Sequence, residues 1–236
     1  MEIHAHSHTA RKKWTHYFWE FFMLFLAVTL GFFVENQREH YIEHQREKQY
    51  IRSMVNDIKG DIKQLEELDK EWEYSFRIAD TLLRNLGGKE ILTNSAPSLA
   101  LVYQSTGFGD FVSNDGTIDQ LKNSGGLRLL RKNKVTDSIM AYQKAVERMI
   151  IKQAGMNDAQ QFRNRITDLF DVSSIVSAVG EKKIPLLTTD SRAINSAYTY
   201  ILEWKGEFAG LKILGSDTKK CGERLLTSIV EEYGIK

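Results

Sequence analysis

The chain has little cysteine, little proline and almost no net charge, and each shortage excludes a class of protein. A single cysteine among 236 residues rules out an intrachain disulfide framework. Two prolines, Pro97 and Pro185, favour long uninterrupted helices over a many-turned β fold. The net charge is +1 and acids and bases are interleaved, so no basic face points to a nucleic-acid partner.

Histidine is absent from most of the chain, because all six histidines precede residue 45. No serine–histidine or cysteine–histidine nucleophile is therefore favoured. The segment His40–His44 matches H-x-x-E-H, in which His40 and His44 share a helix face and Glu43 could act as a base. A third zinc ligand would have to be a carboxylate. We expect no cofactor and no catalytic site, with a zinc-dependent hydrolase as the less favoured alternative and His40 and His44 as weak metal candidates.

One long apolar run, Tyr17–Val34, follows the basic residues Arg11–Lys13. Its length is roughly 27 Å as a helix at ~1.5 Å per residue, close to the ~30 Å of a bilayer core. We predict a transmembrane helix over residues 17–35 after a polar tail of residues 1–16. A buried core helix is one alternative. A cleaved signal peptide is another, but no small-residue cleavage site precedes the polar residues that begin at Glu35.

Three residues of the predicted span are candidates for packing against another membrane helix. Ala27 and Gly31 form a small-xxx-small pair, which lets two helices approach closely. Glu20 lies about one turn inside the apolar edge, where a carboxylate is costly unless it has a partner. Alternatively, Glu20 lies at the interface and contacts lipid headgroups, Lys13 or His16.

A heptad pattern follows the span. Apolar residues recur in steps of four and three, and the pairs Glu66/Lys70, Glu73/Arg77 and Asp80/Arg84 are spaced for i,i+4 contacts. We predict one long helix, roughly Trp14–Leu86, that ends at Gly87-Gly88. The seam fits either a coiled coil with another copy or an intrachain bundle, and the bundle is favoured because further helices follow. Its members are Ile51, Val55, Ile58, Ile62, Leu65, Trp72, Phe76, Ala79, Leu83 and Leu86.

The remaining residues, 87–236, are predicted to complete a helical bundle. Short helices are expected up to Gln104 and over Gly116–Asn123, followed by a long helix from about Lys134 to Phe170. Asp190 or Thr189 is expected to cap a last helical region, in which several glycines disfavour one continuous helix. The predicted fold class is all-α: one N-terminal transmembrane helix continues into a long helix (36–86) and is followed by an antiparallel helical bundle. The predicted inward residues are Ile139, Tyr142, Val146, Met149, Ile150, Phe162, Ile166, Leu169 and Phe170, then Ile194, Tyr198, Ile201, Phe208, Leu211, Leu214, Leu225 and Ile229.

Two stretches resemble a family of small bacterial membrane proteins that is known only as a domain of unknown function. The first is the anchor FWEFFMLFLAVTLGFFVENQRE, with Glu20, Asn36 and Glu39 at matching positions. The second is TIDQLKNSGGLRLLRKNKVTDSIMAY, which follows the motif Leu-x-x-Ser-Gly-x-Leu-x-Leu-Ile/Leu-x-Asn as far as Leu130 and has Asn133 one residue after the motif's asparagine. The resemblance implies a single span and a mostly helical domain, but no activity. The motif positions are Leu121, Ser124, Gly125, Leu127, Leu129, Leu130 and Asn133.

These features together predict a non-enzymatic, single-span protein of the bacterial cytoplasmic membrane. Its helical domain is expected outside, in the periplasm, although basic residues on both sides of the span leave the orientation open. The expected partners are the lipid bilayer and either a second copy, giving a homo-oligomer, or another membrane protein. Two alternatives remain open: a sensor domain that works with a partner, and an accessory subunit of a channel or transporter.

Overall fold

The chain folds around α1, a helix of 74 residues from Trp14 to Gly87. A computed structural model describes residues 14–88, 96–156, 159–171, 173 and 186–235. The predicted long helix and its stop at Gly87-Gly88 are confirmed. Within the described residues there is no strand, only an isolated antiparallel bridge between Phe170 and Leu186. The other helices are α2 (Ala96–Ser105), α3 (Gly116–Asn123), a 3₁₀ helix (Gly126–Leu129), α4 (Asn133–Ala154), α5 (Ala159–Thr167) and α6 (Ser191–Tyr233).

The all-α prediction is confirmed, and two of its details are corrected. The predicted helix from Lys134 to Phe170 is interrupted, because α4 ends at Ala154 with Gly155 as its C-cap and α5 begins at Ala159. The last helix is continuous for 43 residues despite its glycines. Asp190 caps it as predicted, since its Oδ2 accepts a hydrogen bond of 3.3 Å from the Ala193 amide.

The chain divides into two compact units, Met1–Gln49 and Tyr50–Lys236. Within the described part of the first unit, α1 carries a stretch that is long and apolar enough to cross a membrane. None of that 18-residue window is buried. The large apolar side chains of residues 14–34 are all exposed, from 38% at Phe22 to 82% at Trp14.

The second unit has one hydrophobic core, to which α1, α4 and α6 contribute most. The most buried face of α1 follows a heptad that is offset from the predicted seam and includes the polar residues Asp61 and Ser75. Most predicted inward residues are buried, but Ile150 is 46% exposed and Tyr198 is 38% exposed, so these two predictions are wrong. The buried α1 residues of this heptad are Met54, Ile58, Asp61, Leu65, Leu68, Trp72, Ser75, Ala79, Leu82 and Leu86.

A ladder of ion pairs fixes α6 antiparallel to α1. Lysines of α6 at intervals of seven residues meet carboxylates of α1 at the same interval, as expected for charges that flank a heptad seam. A hydrogen bond from Lys212 lowers the pKa of Glu73, and bonds from Lys219 and Lys205 do the same for Glu66 and Asp80. The heptad seam of α1 is therefore used within the chain. The pairs are Glu66–Lys219 (2.6 Å), Glu73–Lys212 and Asp80–Lys205 (2.6 Å).

Small residues let α6 approach its neighbours. Gly215 faces Trp72 so closely that a Cβ atom there would lie 2.6 Å from the indole Cζ3. A Cβ at Gly222 would lie 3.3 Å from Tyr142 of α4 and 3.3 Å from Ile58 of α1. Gly215 thus lies directly against α1, and Gly222 lies where α1, α4 and α6 meet, which explains why α6 contains both glycines despite their low helix propensity.

Candidate functional site

The residues predicted for membrane packing lie on an exposed surface of the first unit. Glu20 Oε1 lies 3.1 Å from His16 Nε2, so the predicted contact with His16 is present, while Lys13 lies outside the described residues. Ala27 is exposed, and a Cβ at Gly31 would have nothing within 4 Å. Among the residues that the structure describes, no side chain packs against Gly31 of the small-residue pair.

The predicted metal candidates do not converge on a common site. His40 Nδ1 lies 3.8 Å from Glu43, and His44 Nδ1 lies 3.2 Å from Glu47. Across the described ranges, no group of three or more histidine, cysteine, aspartate or glutamate side chains is placed to hold a metal ion. The structure thus offers no third ligand among those residues for the zinc hypothesis.

The motif that carries the family resemblance forms a turn between α3 and α4. Gly125 adopts a left-handed conformation with φ of 67°, which favours glycine. The Ser124 hydroxyl donates a 2.6 Å hydrogen bond to the Gln120 carbonyl, and Leu121 and Leu130 are buried. Leu127 and Leu129 are partly buried, and Asn133 is the first residue of α4. The motif residues therefore shape a helix–helix connection rather than a reactive site.

A network of hydrogen bonds in the second unit holds residues 106–117, which we call the strap. The strap runs antiparallel to α1, and side chains of α1 accept hydrogen bonds from its backbone amides. Gly109 donates to Glu71 (2.8 Å), Val112 to Gln64 (2.9 Å) and Asn114 to Asp61 (2.8 Å). Because a loop without a strand partner has unpaired amides, these side chains supply the acceptors that a neighbouring strand would supply.

A second helix holds the middle of the strap. The side chain of Gln153 in α4 accepts a 3.0 Å hydrogen bond from the Phe111 amide and donates a 3.1 Å bond to the Phe111 carbonyl. Phe108 packs edge-on against Phe208, with ring centroids 5.2 Å apart, and lies 5.9 Å from the ring of Trp204. The strap is consequently bound to α1, α4 and α6.

Asp61 is the centre of this network. Its side chain is 1% exposed, and its Oδ1 accepts hydrogen bonds from the amide and the Nδ2 of Asn114, the latter at 2.7 Å. Its Oδ2 accepts a 2.6 Å bond from the Tyr142 hydroxyl. One turn earlier, Asp57 accepts a hydrogen bond from the Thr117 hydroxyl. A buried carboxylate with three donors satisfies the general requirement that buried charge be hydrogen-bonded.

Tyr142 is locked as a neutral phenol by this arrangement. Burial is the main cause that raises the pKa of Tyr142, and its hydrogen bond to Asp61 raises it further. A cavity of about 140 Å³ adjoins the pair, between α3, the strap and α4. That volume is below the roughly 300–1,000 Å³ of drug-sized sites, so only a small molecule would fit. The network links α1, the strap and α4 through the hydroxyls of Tyr142 and Thr117, which donate hydrogen bonds to Asp61 and Asp57.

The sequence alone does not show that Asp61, Asn114 and Tyr142 are joined by hydrogen bonds. A signal for Asp61 was available, because positions 54, 58, 61, 65 and 68 form a heptad of otherwise apolar residues. A polar residue in such a series is expected to need a buried partner. The identity of that partner follows only from the fold, because Tyr142 lies 81 positions further along the chain.

No family model, no curated protein and no solved structure matches this chain. The resemblance to small bacterial membrane proteins therefore stays a prediction from the residues of the anchor and the turn.

Proposed function

We propose that this chain is a single-span membrane protein whose helical domain acts in protein–protein interaction or assembly, without enzymatic activity. The observation that carries this proposal is the exposed apolar stretch of α1, which lies near the N-terminus and of which no part is buried. An exposed apolar surface of this extent favours contact with lipid or another protein over contact with water.

The exposure of this stretch also argues against its being the core helix of a soluble protein. A core helix of a soluble protein hides its apolar residues, whereas Phe21, Leu24 and Val28 are each 67% exposed. Aromatic residues near both ends suit the membrane interface, where Trp and Tyr are enriched. We place the span in a bacterial cytoplasmic membrane and the helical domain outside it, in the periplasm.

The polar groups of the second unit support a binding role rather than a catalytic one. Asp61 and Tyr142 are occupied with each other and with Asn114, and they hold the strap in place. A second candidate function, a sensor that works with a partner, is favoured by the cavity beside Asp61. A small ligand bound there would contact both the strap and α4.

Membrane fractionation tests the anchor. We expect the full chain to stay with membranes after an alkaline carbonate wash. Arginines at Leu26 and Val28 each add about 2.5–3.5 kcal/mol to the cost of insertion, so the Leu26→Arg, Val28→Arg variant should be released. A matched control is Ile151→Arg, which places the same charge on an exposed apolar residue of α4 and should leave the chain in the membrane. Release of the unmodified chain, or a mature mass lacking the apolar stretch, would contradict the anchor.

Assembly is tested by mass in mild detergent with crosslinking. We expect the chain to co-purify with a second copy or with a defined membrane protein. If the span contributes, Gly31→Ile should lower the oligomer mass, because the larger side chain would keep two helices apart. A monomer at every concentration and no associated protein would argue against an assembly role.

A further inference from the structure

The outward face of α6 carries a second heptad seam that the described residues of the chain leave largely exposed. Leu202, Gly206, Ala209, Ile213 and Ser216 follow one another in steps of four, three, four and three. Leu202 is 55% exposed and Ile213 is 63% exposed. We call these five residues the outer seam.

The charges around the outer seam differ from those of an ordinary exposed helix face. From Asn195 to Ser216 the charged residues of α6 lie beside the seam and not on it. Three of these charged residues form ion pairs within the chain: Lys205 with Asp80, Lys212 with Glu73 and Glu207 with Lys152. A solvent-facing helix surface usually concentrates its charges on the outermost positions. The outer seam thus has the apolar centre and charged rim of a helix–helix interface.

We infer that the outer seam binds the outer seam of a second copy of this chain, with the two α6 helices parallel. In a parallel two-fold pair, flanking positions five residues apart face each other across the interface. Lys212, Glu73 and Arg77 form a cluster with one net positive charge, because both cations pair with the same carboxylate. This arrangement places that cluster, through Lys212, opposite Asp217 of the second copy, and the reverse. It also places Lys205 opposite the uncharged Gly210. An antiparallel pair would bring Lys205 of one copy beside Lys212 of the other, so charge complementarity selects the parallel arrangement.

The small residues at the centre of the seam set the distance between the helices. Nothing lies within 4 Å of a Cβ built at Gly206. Two helices that meet at Gly206 and Ala209 approach at the short end of the usual 8–10 Å interaxial range. Leu202 and Ile213 then close the interface above and below this point.

The anchor strengthens a pairing that is weak by itself. The seam is short, and its centre buries little apolar area. Confinement of two copies in one membrane raises their effective concentration without any new contact. The pairing of outer seams therefore depends on the membrane anchor of the proposed function.

Disulfide crosslinking of the full chain in native membranes tests the parallel pair. In a Cys221→Ser background, Ala209→Cys should give a disulfide-linked dimer on mild oxidation. Asp137→Cys, an exposed position on α4, is the matched control and should stay monomeric. Ala209→Glu should convert the dimer to a species of half the mass in mild detergent, with unchanged circular dichroism.

Three results would overturn the inference: no crosslink at position 209, equal crosslinking at position 137, or an unchanged mass for Ala209→Glu. A crosslink that forms only between Gly206→Cys and Ala209→Cys chains would also overturn it, because it indicates antiparallel helices. Membrane retention after the carbonate wash is measured on the same variants. If the Ala209→Cys chain gives no dimer but is retained in the membrane, the seam alone is rejected, whereas loss of retention in the parent chain rejects the anchor.

Discussion

Replacement of Gly215 by alanine should destabilise the helical domain, and the structure sets the size of the effect. The new Cβ would lie 2.6 Å from Cζ3 and 3.3 Å from Cη2 of Trp72. Trp72 is 1% exposed, so the indole is surrounded by core side chains and cannot turn into solvent without disturbing them. Either the ring leaves its rotamer or α6 moves away from α1.

Two opposing contributions determine the net change in the free energy of unfolding. Overpacking of a filled core costs about 1–3 kcal/mol. Glycine to alanine inside a helix stabilises by about 1 kcal/mol. We therefore expect Gly215→Ala to be net destabilising by about 1 kcal/mol, and by about 2 kcal/mol if the ring cannot adjust.

Gly206→Ala is the matched control on the same helix, because its Cβ would enter open space. This variant should be more stable than the parent by about 0.5–1 kcal/mol. Both are measured by urea unfolding of the full chain in mild detergent, followed by circular dichroism at low protein concentration. The double variant Trp72→Phe, Gly215→Ala should show less than the sum of the single effects, because the clashing part of the indole is gone. A Gly215→Ala protein as stable as Gly206→Ala would refute the close contact.

Three further predictions concern polar groups of the same domain. Ser75→Ala should leave the melting temperature unchanged or raise it, because the buried Ser75 hydroxyl has no hydrogen-bond partner among the residues that the structure describes. Ser105→Ala, which loses a 2.9 Å bond to a backbone carbonyl, should lower it. Glu73→Lys should lower the melting temperature and the added change Lys212→Glu should restore part of the loss; no recovery would contradict the ladder. In alkaline titration, absorbance at 295 nm should show Tyr142 still protonated when exposed tyrosines have ionised. Since its pKa is raised on folding, its contribution to stability is present below the usual value of 10.0 and declines as pH rises above it. A full tyrosine count titrating near that value would contradict the buried phenol.

The periodic parts of the fold were predictable from the sequence, because periodicity is a local property. The heptad of α1 and the stop at Gly87 depend on neighbouring residues only. Even so, α1 carries two overlapping stripes of mostly apolar residues, and the predicted seam was one of them. The face with Asp61 and Ser75 is the more buried one, since a helix that packs against both α4 and α6 hides a wide surface.

The strap could not be predicted, because its conformation depends on distant side chains. The acceptors for Gly109 and Val112 are Glu71 and Gln64, which lie 38 and 48 positions earlier. Glycines in a loop indicate a turn, but they do not indicate which helix the loop follows. The end of α4 was missed for a related reason, since the apolar spacing continues across Gly155 into α5.

The charge ladder between α1 and α6 creates a competing arrangement that the rest of the fold must exclude. The ladder repeats every seven residues, so sliding the helices by seven residues, about 10.5 Å, preserves two of its three pairs. Sliding in one direction sets Trp72 against Phe208, where there is no room. Sliding in the other direction sets Trp72 against Gly222, which would accept it if the ring of Tyr142 were not already 3.3 Å from that site. The ring of Tyr142 on α4 therefore disfavours this second alignment, and a chain in which α4 packs late lacks that constraint while α1 and α6 pair.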